Sequence, residues 1–170
     1  MPAENNKSIA NAGLVLMWPY LNSLFLNLQL LNGHDFKDSY ARQKAILYLH
    51  YLVWDQLPVD EDELMLNKII CGMDTTNLID TSSISFTKTE LSEILNIKLV
   101  MLKYWNVLKG TSAEGLTESF LKRKGSLNQE KTNWELNVAS SATDILLAQL
   151  PWQIGVIKLP WNNYFIHVNW

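Results

Sequence analysis

The sequence predicts an α+β fold with a mainly helical body. Apolar residues recur at helical spacing through 19–108, the pattern changes to two-residue alternation after 125, and helix caps punctuate the first part while a hairpin opens the second. Five to six helices are expected over 11–124 and small antiparallel strands over 125–170, with residues 1–10 as a flexible, frayed end. One domain suffices, because 170 residues can bury a sizeable core without staples.

Taken in order, NAGLVLMWPYLNSLFLNLQLL over 11–31 reads as a short turn and then a helix with Pro19 near its first position, where a missing N–H costs nothing. Leu21, Leu24, Phe25, Leu28 and Leu31 give its core face, and Asn32-Gly33 stops it. Asp38 is a plausible N-cap for a second helix whose buried stripe is Ala41, Ala45, Tyr48, Leu49 and Leu52, with His50 beside it. After Pro58, a third helix carries Asp60, Glu61, Asp62 and Glu63 in its first turn and Gly72 past its end. Those acids read as solvated, dipole-stabilising groups rather than metal ligands, since adjacent residues on a helix point in different directions.

Residues 73–86 are rich in Thr, Ser and Asp without periodicity and read as a surface loop. Thr87 and Glu90 then form a capping box for the longest helix. Its apolar positions Leu91, Ile94, Leu95, Leu99, Leu102, Trp105 and Leu108 hold a helical period for about five turns, which predicts the central helix. Ser112 caps a shorter helix ending in Lys122, Arg123 and Lys124. A hairpin follows, with Trp134, Leu136 and Val138 inward on its second strand. Ser141 and Asp144 open a further helix that Pro151 ends, and two last strands place Ile154, Val156 and Lys158, then either Phe165 or Ile166 with Val168 and Trp170, inward.

Composition narrows the function. A net charge of −3 and a pI near 5.6 give no general attraction for nucleic acid or anionic lipid. Polar residues at Asn22, Ser23, Asn27 and Gln29 interrupt the apolar stretch 13–31, which argues against a membrane span. The N-terminal stretch lacks the pattern of a signal peptide. His34, His50 and His167 fall in three separate elements without neighbouring His or Cys, so each is expected to be a hydrogen-bonded structural residue and no metal site is expected. Cys71, at a helix C-terminus, sits at the wrong end of the dipole for an activated thiolate and reads as a buried, inert thiol. The seven glycines stand singly and form no phosphate-binding motif. A hydrolase built from scattered polar residues would need a perturbed pair of ionisable groups in a pocket, which no spacing announces.

Two readings remain. Residues 112–138, a helix ending in KRKG and a hairpin, have the outline of a winged helix and constitute the nucleic-acid-binding alternative, although Glu114 and Glu118 in the recognition half would repel DNA. The other reading comes from a set of phrases in fixed order: NAGLVLMWPYL, LYLHYLV, ELMLNKIICG, YWNVLKGTSAEGLTESFLKRKGSL, WELNV, DILLAQLPW and IGVIKLPWNNYFIHVNW. Together, over nearly all of residues 9–170, they resemble the C-terminal region of the tape measure proteins of bacterial contractile injection systems, the phage-tail-like particles of the antifeeding-prophage and virulence-cassette type.

The resemblance implies a non-enzymatic structural role, with no catalytic residue, cofactor or metal. Such a protein would lie inside the tail tube during assembly in the bacterial cytoplasm, set its length while bound near the hub, and then remain in the particle. Its implied partners are tube, hub or spike, and baseplate proteins, with self-association as a further option; nucleic acid, membrane and small-molecule substrates are not implied. A ruler of extended helix grows by about 1.5 Å per residue, so a tube on the order of a thousand ångströms needs several hundred residues. The expectation is therefore a terminal anchoring domain of a longer protein, or a short stand-alone relative.

Trp152, Trp161, Tyr164 and Trp170 are the candidates for a partner interface. Of these, Trp152 and Trp161, each after a Leu-Pro, are expected to pack at internal corners, whereas Trp170 is placed at an edge or rim, available to a hub or tube partner.

Overall fold

A computed structural model describes residues 6–170. The fold is α+β. A tight 3-10 turn, Ala12–Met17, leads into α1 (Trp18–Asn27). The helix stops short of the expected 31 because Gln29 turns left-handed at φ 58°, and the chain then forms a small hairpin of β2 (Leu31–Asn32) and β3 (Asp35–Phe36).

The Asp38 carboxylate accepts from the Ala41 N–H at 2.7 Å and starts α2 (Ser39–Trp54) as expected. Residues 45–50 of this helix are buried on every side, which makes α2 the central helix. A 3-10 turn, Glu61–Leu64, with a capping box between Asp60 and Glu63, opens α3 (Met65–Cys71), and Gly72 at φ 73° ends it. Glu61 departs from the expected solvated role. Its carboxylate lies 2.6 Å from the buried Lys68 ammonium and also accepts from the Ile79 N–H, tying down the loop after α3.

Thr87 and Glu90 cap each other's backbone at the start of α4 (Lys88–Tyr104), as the spacing predicts. The central position expected of this helix is overturned. Of its residues only Met101 and Leu102 are buried, while Leu95, Leu99, Val100 and Tyr104 stand exposed. Periodicity marked its apolar side correctly but not whether anything covers that side.

α5 (Ala113–Leu116) continues into a π turn, Thr117–Leu121, and the chain enters β4 (Gly125–Glu130) and β5 (Asn133–Val138), the expected hairpin. A 3-10 helix, Ala142–Gln149, precedes β6 (Val156–Ile157) and β7 (Ile166–Asn169). The first strand of the sheet, β1 (Lys7–Ile9), comes from the other end of the chain and pairs antiparallel with β4, so the frayed reading of 1–10 fails for these residues. Residues 1–5 of that stretch lie outside the described residues.

The sheet order is β1-β4-β5-β7-β6, and β5 pairs with β7 in parallel. The sheet is thus mixed, not antiparallel throughout, because the chain crosses over through 142–165 before returning beside β5. Leu127, Leu136, Ile157, Ile166 and Val168 are its buried residues. In β6 the inward position is Ile157, one residue out of step with the predicted Ile154 and Val156.

Candidate partner interface

The tail from Leu150 onward is clamped to the helical body by polar atoms of its aromatic and amide side chains. A helix leaves its last carbonyls without intrahelical donors, and those of α3 are met from the far end of the chain. The Trp161 indole N–H donates to the Ile70 carbonyl at 2.8 Å, the Asn162 amide donates to Ile69 and Ile70 at 3.2 and 3.1 Å, and the Tyr164 hydroxyl donates to Ile69 at 2.6 Å. Burial raises the Tyr164 phenol, with nearby Cys71 adding to the shift, so it stays a donor across the physiological range. Lys158 closes the loop by donating to the Asn162 and Leu159 carbonyls.

Trp161 is itself buried, between Phe25 at 5.5 Å and Phe36 at 5.2 Å between ring centroids. Trp152 is half-buried; its N–H donates to the Leu16 carbonyl at 3.1 Å, and its ring meets Tyr20 edge-on at 5.3 Å. Of the four residues singled out in the sequence, three therefore spend their polar atoms inside the molecule.

Trp170 differs. It is half-buried, and its ring lies 5.2 Å over the guanidinium of Arg123, itself buried and bonded to the Asp144 carboxylate at 2.7 Å and to the Ala139 and Ser119 carbonyls at 3.0 and 2.9 Å. The indole N–H faces Asp144 without a hydrogen bond of ordinary geometry. Exposed Phe165 and His167 lie on the outer face of β7, opposite the face of buried Ile166 and Val168.

Burial pushes the Asp144 carboxyl up, but the hydrogen bonds from Arg123 and the Ser141 backbone N–H, with the Arg123 charge, outweigh it and hold the group below its ordinary value. A carboxyl depressed on folding contributes stability above its unfolded pKa and loses that contribution as pH falls through the folded one. The wild type should thus lose more stability than Asp144→Asn as pH falls from about 5 towards 3, with little pH dependence from this group above that window. Denaturant melts of both proteins across the interval check it; parallel pH profiles would exclude the coupling.

The same geometry bears on the winged-helix outline of 112–138, whose basic cluster is largely committed. Lys122 pairs with Glu118 and lies over the Trp54 ring, and Arg123 is buried, leaving Lys124 as the cation of the three with no ion pair among the described residues. Cys71 is buried and its thiol is raised by burial, as expected of an inert group. The structural histidines do not all match expectation: both ring nitrogens of buried His50 lack a partner among the described residues, and burial lowers its pKa against the pull of Glu63, so the ring is neutral at pH 7. Among the described residues no helix is long and apolar enough to cross a membrane, and no group of three His, Cys, Asp or Glu could hold a metal ion.

That the tail packs on the helical body agrees with the corner packing expected of the Leu-Pro-Trp units, but its hydrogen-bond partners were not legible, because they are bare backbone carbonyls some ninety residues away. The α3 end in Gly72 signalled only that such carbonyls had to be met. No curated protein and no solved structure is detectably similar to the chain. The family model for contractile injection system tape measure proteins does match, over residues 2–170, and the chain belongs to that family.

Proposed function

We propose that this chain serves as an anchoring domain of a tape measure, fixing it at the hub or baseplate end of the tube while the particle assembles in the cytoplasm. Membership of the family makes it a structural component that interacts with other particle proteins. The anchoring reading is carried by one observation: the described residues close into a folded unit, not a rod. Its longest helix, of 17 residues, rises only about 26 Å, and a mixed sheet joins both ends of the sequence. A unit of that kind suits docking better than measuring length.

The docking end we assign is the rim around Trp170, since Trp152, Trp161 and Tyr164 are held by intramolecular hydrogen bonds. Trp170→Ala removes a partly exposed ring whose cation–π contact contributes about 1 kcal/mol, so the purified domain should melt only slightly lower. In particles, the same variant should reduce yield and broaden the tube-length distribution seen by electron microscopy. A loss of stability with normal particle number and length would refute the assignment.

A further inference from the structure

The exposed side of α4 is not a plain surface. It forms one wall of a groove of about 610 Å³ whose other walls come from the end of α2 and from α5. Leu91, Ile94 and Leu95 line the groove, and Leu99, one helical turn beyond Leu95 and outside the lining, continues the apolar side; Leu95 and Leu99 are 53% and 49% exposed. Lys98 lies within that leucine stripe. Among the described residues no carboxylate comes within ion-pair distance of its ammonium, whereas its neighbour Lys122 is already paired with Glu118. Burial lowers the Lys98 pKa, Asp55 opposes this and Lys122 adds to it, as expected of a cation that has lost water without gaining a counter-ion.

We propose that this groove receives an amphipathic α-helix of another chain, one whose apolar stripe packs on Leu95 and Leu99 and whose carboxylate, set within that stripe, pairs with Lys98. The walls favour a helix over an extended peptide, because their backbone groups are satisfied within α2 and α4 and would leave a strand's own N–H and C=O groups unpaired against leucine; a helix arrives with them satisfied. An acidic residue at its centre follows from Lys98, the desolvated cation of the groove. The rim acids Asp55, Glu114 and Glu118 are exposed to water and need no partner. A second copy docking α4 on α4 would set Lys98 against Lys98, which fits the charges worse.

The test is a photo-reactive benzoylphenylalanine at Leu95 or Leu99, incorporated in assembled particles, followed by identification of the crosslinked peptide. The expected product is a helical segment of a different particle protein with Asp or Glu inside its apolar stripe. Lys98→Glu should lower that yield at least tenfold, Lys98→Gln should lower it less, and Lys98→Arg should largely preserve it, with the melting temperature of each variant near wild type. The proposal is overturned if the crosslink falls on a second copy of this chain, on a segment without an acid, or on no protein. It is equally overturned if Lys98→Glu leaves the yield unchanged. The anchoring reading fails separately: a crosslink to an acidic helix of a protein remote from the hub and baseplate would support the groove and count against the anchor.

Discussion

Gly13→Ala should destabilise the fold by about 3 kcal/mol or more, beyond the usual range for overpacking. The residue sits in the buried turn Ala12–Met17, where a Cβ would come within 1.6 Å of the Phe120 carbonyl oxygen and 2.8 Å of the Leu121 Cα. Those are backbone atoms of the π turn, so no side chain can swing away. The turn is also held from outside its own residues, since the Ala12 N–H donates to the Arg123 carbonyl at 2.8 Å. Accommodating one methyl group therefore means separating two packed backbones. Gly155→Ala provides the control, because a Cβ there meets nothing within 4 Å and should change stability by less than about 0.5 kcal/mol. Urea unfolding of the two variants beside wild type measures the difference; a loss under about 1 kcal/mol at Gly13 would show that the two segments separate easily.

That contact also explains which parts of the architecture could be read from the sequence. Signals acting within one turn were legible: Asp38 over Ala41, Thr87 with Glu90, and Gly72 after α3 need only neighbouring residues to satisfy a helix end. Pairings between distant segments were not. Lys7–Ile9 joins the sheet through β4 and β5 runs parallel to β7, and neither choice leaves a pattern in the strands themselves, which alternate in the same way whichever neighbour they have. α4 fails for a related reason. A leucine stripe with Lys98 inside it has the period of a core helix, yet among the described residues Leu95 and Leu99 are left uncovered. The interface candidates were likewise chosen for being aromatic and near the tail. What separates Trp161 from Trp170 is the carbonyl that each indole can reach, a property of the folded state alone.

The largest effect in the tail is expected at Trp161. Trp161→Ala removes a buried ring packed between Phe25 and Phe36, a truncation that costs about 3–5 kcal/mol and lowers the melting temperature by roughly 10 °C for a domain of this size. The Ile70 carbonyl would retain the Asn162 amide as a donor, so the loss should come chiefly from packing and only secondarily from the hydrogen bond. Trp161→Phe separates the two terms: it keeps much of the apolar contact, deletes the N–H and should cost about 1–2 kcal/mol. If packing dominates, the alanine variant also frees the loop around Asn162 and Tyr164, and hydrogen exchange should quicken at the C-terminal end of α3 and in β6 and β7 before the rest of the sheet. If instead the phenylalanine variant falls as far as alanine, the bond to Ile70 is the clamp. The assembly readout completes the contrast: Trp161→Ala should impair particles only in proportion to its lost stability, whereas Trp170→Ala should impair them while the domain remains folded.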